Sequence, residues 1–156
     1  MSVIALQLLT ACDVIDGDRT PSSDLAALRA KVHVDLPISS VVWEVFGTPE
    51  YIGGVPGATD IQTLVAEIVL IDATYPSKMS LPLANEVFVV PESPRAWLSP
   101  EFKTMMNRVR NSSEDMGRSF GCFRYETLLT DSGQPVSGFL CFSAARALLY
   151  LTLDKR

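Results

Sequence analysis

FGCFRYETLLT (residues 120–130), DSGQP (131–135) and VSGFLCFS (136–143), followed shortly by LLYLTL (148–153), form the stretch on which the fold turns. The first and third segments are rich in aromatic and β-branched residues and flank a turn signal of Asp, Ser, Gly and Pro, so they read as a β-hairpin. The last segment adds a strand and makes a meander. Cys122 and Cys141 test the register: their numbers sum to 263, which centres a hairpin at residue 131.5, close to the turn. The two cysteines should therefore face each other on adjacent antiparallel strands, with Cα atoms within about 7 Å, near enough for a disulfide in an oxidising compartment; in the cytosol both would be small buried apolar residues.

Working outward, helix and strand signals follow one another without a regular β–α repeat. Ser23 or Asp24 can cap a short Ala/Leu helix ending at about Lys31. Val32-His33-Val34-Asp35-Leu36 alternates at period two and reads as a strand stopped by Pro37. Ile38 to Phe46 places Ile38, Val42, Val45 and Phe46 on one helical face, yet its β-branched and aromatic content favours a strand. Thr59-Asp60-Ile61-Gln62 has the form of a capping box and would start a helix, although Glu67 to Ile71 has strand composition. Asn85 to Val90 reads as a strand between Pro82 and Pro91. The clearest helix runs from Ser99 to Arg110, with Ser99 as cap and Pro100 in the first position. Phe102, Met105, Met106 and Val109 recur at i, i+3, i+4, i+7 and should pack on a sheet. The expectation is an α+β fold: a largely antiparallel sheet with one or more helices packed on one face and a C-terminal β-meander, in a single domain over residues 1–156.

Two local resemblances bear on placement and class. Leu9-Thr10-Ala11-Cys12, after the apolar run Val3 to Leu9, resembles a bacterial lipobox, which implies an exported protein lipidated at Cys12. The first positive charge, Arg19, follows the cysteine, whereas such signals begin with one. Ser2 to Thr10 also reads as a buried strand, and a cytoplasmic chain is the favoured expectation. Pro37 followed by Ser39-Ser40-Val41-Val42-Trp43-Glu44-Val45-Phe46 resembles the opening of START-like helix-grip domains, which cradle hydrophobic ligands. That family closes on a long C-terminal helix; Ala147 to Leu153 reads as a strand, and the family is not carried over.

Composition narrows the classes further. A chain of 156 residues is long enough to bury about 70% of its unfolded surface. No apolar run reaches the roughly 20 residues that span a bilayer, so no integral membrane span is expected, and membrane attachment would require lipidation of Cys12. The net charge of −5 is unevenly distributed: residues 1–94 hold four Lys/Arg against twelve Asp/Glu (−8), and residues 95–156 hold nine against six (+3). Nucleic acid would be repelled by such a chain, and no binding motif surrounds Lys103, Arg108, Arg110, Arg118 or Arg124. If folding kept the two sections apart, opposite patches would favour self-association or a charged protein partner.

Few residues offer chemistry. The three cysteines and one histidine lack zinc-ligand spacing, and Asp13, Asp16 and Asp18 lack the rest of a calcium loop, so no metal or cofactor is expected. His33 shares a strand face with Asp35, which could orient it as a general base for a nucleophile from elsewhere. No Gly-x-Ser-x-Gly elbow supplies one. The segment 47–57 holds four Gly and two Pro, lacks the Gly-Lys-Ser/Thr of a phosphate loop, and presents Tyr51, Ile52, Gly53 and Gly54 as candidate interaction residues. The leading expectation is a non-catalytic binding or protein-interaction protein of accessory, inhibitory or immunity type. The alternatives are a small-molecule enzyme using His33 and Asp35 in a pocket, and an exported lipoprotein.

Overall fold

The structure, a computed structural model, describes residues 20–48, 61–84, 87–88, 94–110 and 114–154. Helix α1 (Leu25–Lys31) starts where the Asp24 carboxylate accepts from the Ala27 N–H at 2.9 Å. The chain then forms β1 (Ile38–Thr48), β2 (Ile61–Leu70), α2 (Tyr75–Lys78), β3 (Val87–Phe88), α3 (Pro100–Val109), β4 (Glu114–Asp115), α4 (Met116–Phe120), β5 (Phe123–Leu128), β6 (Pro135–Ser143) and β7 (Arg146–Asp154). Five strands make one antiparallel sheet in the order β1-β2-β7-β6-β5, and β3 pairs with β4 separately. This is the expected α+β fold with its C-terminal meander, β5-β6-β7.

The hairpin register is the one the cysteines indicated. Phe123 pairs with Leu140 and Leu128 with Pro135, both summing to 263. Cys122, just before β5, therefore lies opposite Cys141 on β6; their Cα atoms are 4.3 Å apart and their sulfurs are bonded.

Both sheet faces are covered. On one, Trp43, Leu64, Ala66, Ile68, Leu140, Leu149 and Leu151 pack with Leu28 of α1 and with Val32, Val34 and Leu36. On the other, Phe46, Val65, Phe139, Leu148 and Tyr150 pack with Phe102, Met105, Met106 and Val109, the apolar stripe of α3. The helix expected on the sheet is there, and the structure adds a second layer from α1 and the segment that follows it.

Several expectations need correction. Ile61 and Gln62 open β2 rather than a helix, because Ile61 to Val69 pair along their whole length with β7 and buried sheet contacts outweigh a local cap signal. Phe120 ends α4 rather than starting a strand: Asp115 caps that helix, and Gly121, at φ 64, takes the left-handed conformation that stops it. Residues 32–36 keep their period-two burial, but only Val32 is bridged, to Leu129, so they form a covering segment and not a ladder strand. Gly47 and Thr48 belong to β1. Of the strand expected over 85–90, Val87–Phe88 is a strand, and the remainder lies outside the described residues. So do Cys12, the apolar N-terminal run, and Tyr51, Ile52, Gly53 and Gly54.

Irregular segments line the outer strands. The Ser22 N–H donates to the Trp43 carbonyl of β1 at 2.8 Å, and the Trp43 N–H returns the bond to Ser22. Along β5, Arg124 donates to Pro82 and His33 donates to Leu128, each at 2.9 Å. Pairing of this kind blunts the tendency of bare edges to add foreign strands.

Truncating Phe102 to Ala should cost about 3–5 kcal/mol, because the residue is buried against the sheet. Chemical denaturation measures this, and an unchanged midpoint would show that the face is not packed. Burial also pushes the Tyr125 phenol above its ordinary value of 10.0, a rise partly offset by the Asp35 backbone. A raised folded value means that the contribution is complete below the unfolded pKa and is lost as pH climbs through the folded one. Stability measured above pH ~10 should therefore fall less in Tyr125→Phe than in the parent.

Candidate functional site

Strand register brings a set of charged side chains to one end of the α3 face. Val42 pairs with Glu67, Glu44 with Val65, and Val69 with both Ser40 and Arg146. Because side chains alternate across a strand, Ser40, Val42, Glu44, Glu67, Val69 and Arg146 all project toward the same side. The segment 94–99, leading into α3, lies over them.

Glu67 is only 5% exposed. One carboxylate oxygen accepts from Arg146 Nη1 at 2.6 Å and the other from the Ser99 backbone N–H at 2.6 Å. Ser99 is the N-cap of α3, and in a capping box its N–H would be satisfied by a Glu or Gln three residues on; position 102 is Phe, and Glu67 supplies the acceptor from the sheet instead. Glu44 is satisfied in parallel. It forms an ion pair with Arg95 Nε at 2.7 Å and accepts from Trp97 Nε1 at 3.0 Å. The Arg95 guanidinium in turn lies 3.8 Å above the Phe46 ring. Two carboxylates from the sheet thus hold three residues of the 94–99 segment.

Beside this brace is an open cleft of about 210 Å³, bounded by Ser40, Val42, Glu67, Val69, Trp97 and Arg146. The Arg146 side chain is 51% exposed, so the guanidinium is anchored at one corner and presents its other donors to solvent. Chemically, this corner can receive a carboxylate or another acceptor next to an apolar wall. The Ser99 hydroxyl is buried and has no hydrogen-bond partner among the described residues.

His33 and Asp35 do share a face, as period two required, and both are exposed. Their backbones do the binding: the His33 carbonyl accepts from Thr127 Oγ1, and the Asp35 carbonyl accepts from the Tyr75 hydroxyl at 3.2 Å. Neither residue borders this cleft or the more open one of about 370 Å³ beside α1, where Lys31 and Asp131 sit at the rim. The charge sections are not held apart either. Glu44 and Glu67 from the acidic section pair with Arg95 and Arg146 from the basic one.

Sequence reasoning missed Glu67, Glu44, Arg146, Trp97 and Arg95. A usable signal was present: Glu67 is the single charge in Leu64-Val65-Ala66-Glu67-Ile68-Val69-Leu70, and a charge in the middle of a buried strand requires a partner.

Replacing Arg146 with Ala would leave Glu67 buried with one backbone donor and should destabilise the fold by about 1–3 kcal/mol. Arg29→Ala, on the exposed side of α1, should cost less than about 0.5 kcal/mol. Equal midpoints for the two variants in urea would show that the brace carries no stability. Comparison with protein-family models, with curated proteins and with solved structures finds no match for this chain.

Proposed function

We propose that this chain is a non-catalytic protein-interaction protein of accessory or inhibitory type, and that its partner places a side chain in the cleft between β1, β2 and residues 94–99. The observation that carries the reading is the pairing of a half-exposed arginine with a half-buried tryptophan around an open cleft. Arg146 and Trp97 are the residue types that dominate binding energy at protein interfaces, and both are oriented in advance by carboxylates of the sheet, Glu67 and Glu44. Orientation in advance lowers the ordering cost that association would otherwise incur. Size supports a side chain rather than a free metabolite: about 210 Å³ is below the usual range of about 300–1,000 Å³ for small-molecule sites. An acidic or amide-bearing side chain with an aliphatic stem suits the Arg146 donors and the valine wall.

Affinity capture from the native source, quantified by mass spectrometry, tests this with one plugging variant. Ser40 is exposed on β1 and borders the cleft, so Ser40→Trp fills it without disturbing the core. The expected result is at least a roughly tenfold loss of the captured partner, the effect of about 1.4 kcal/mol of binding energy, with His33→Ala unchanged. Undiminished capture by Ser40→Trp would remove the cleft from the reading. A catalytic turnover abolished by His33→Ala would overturn the non-catalytic assignment.

A further inference from the structure

We propose that the Cys122–Cys141 bridge is a folding-coupled modification acquired in an oxidising compartment, so that this protein works outside the reducing cytosol. Disulfides form and persist in secreted, periplasmic and surface proteins, and cytosolic thiol systems keep such pairs reduced. The inference rests on how the two residues are held. Their Cα atoms, 4.3 Å apart, occupy the closely spaced kind of antiparallel pair, in which side chains approach most nearly. Both residues are buried, Cys122 at 0% and Cys141 at 2% exposure.

The surroundings leave Cys122 little room to retreat. Its N–H donates to the Met116 carbonyl at 3.1 Å, and its own carbonyl accepts from the Ala84 N–H at 2.9 Å. Gly117 closes the same junction, donating to the Ala84 carbonyl at 2.9 Å; a Cβ at Gly117 would meet the Ala84 backbone at 2.9 Å, so the two segments are in direct backbone contact. The bridge therefore ties α4, the 82–84 segment and the start of β5 to β6. Helix α4 spans five residues, too few to be stable by itself, and gains its order from this junction.

The chemistry needs a disulfide donor, either a protein oxidant or a small-molecule disulfide. One cysteine thiolate attacks the donor, forms a mixed disulfide and releases one donor thiol. The second cysteine thiolate then attacks the protein sulfur of that mixed disulfide and expels the other. Two cysteine thiols lose two electrons and two protons, and the donor disulfide is reduced to two thiols. Burial in the finished fold slows the approach of thiol reductants, which makes the bond a staple and not a switch.

The test uses the full chain isolated from its source under an acid quench and alkylated before digestion. The expected result is a peptide pair joined at Cys122 and Cys141, with neither sulfur alkylated. Recovery of both as alkylated peptides would overturn the proposal. On the oxidised protein, a phosphine reductant should lower the thermal midpoint by roughly 6–12 °C, the effect of closing a loop of this size in a domain of this length. The Cys122→Ala/Cys141→Ala double variant should show no response to reductant. If that variant does not fold, the parent decides alone: an unchanged midpoint after mass spectrometry confirms cleavage would show that the bridge is not a staple.

Discussion

Strands β2 and β7 lie at the centre of the sheet, paired with each other from Ile61 to Val69 and with β1 and β6 on their outer sides. From Thr63 to Ile68 and from Ala147 to Leu151 every residue is buried, whichever face it points to. That double burial forces the rest of the architecture. A sheet apolar on both sides needs two covering layers, and the chain supplies α1 with residues 32–36 for one and α3 with α4 for the other. Because β7 is the last of the described strands yet sits beside β2, these two strands join the acidic first part of the sequence to the basic second part.

One consequence is electrostatic. Glu67 sits in the middle of a strand and is almost wholly buried, where an unpaired carboxylate would cost several kcal/mol. Arg146, at the start of β7, and the N–H at the start of α3 offset that cost together. The same contacts set where α3 begins and hold the 94–99 segment over the sheet. The cleft beside Trp97 and Arg146 is thus framed by the same contacts that close the core. The uneven charge of the sequence is partly neutralised inside the fold.

Much of this architecture was legible in the residues. Turn chemistry and cysteine numbering gave the β5–β6 register, because a hairpin depends on short-range geometry. Ser99, Pro100 and the stripe of Phe102, Met105, Met106 and Val109 marked α3, because an amphipathic helix carries its own period. Ile61-Gln62 misled, since a capping box is worth about 1 kcal/mol and two flanking strands outweigh it. The order β1-β2-β7 was not legible: pairing between residues some 80 positions apart leaves no local trace. The brace was missed for that reason, as Glu67 meets Arg146 and Ser99 only once the sheet is assembled. His33 and Asp35 share a face because a period-two segment places alternate residues together, and both are exposed, bordering neither the cleft beside Trp97 nor the one beside α1.

Amide hydrogen exchange tests the centrality of β2 and β7 most directly. Amides of Leu64 to Ile68 and of Leu148 to Leu151 should exchange only through global unfolding, with the largest protection in the molecule, while those of α1 and α4 open at lower free energy. Faster exchange in β2 and β7 than in the β5–β6 hairpin would contradict the account, because the hairpin would then be the stable unit and β2 and β7 additions to it.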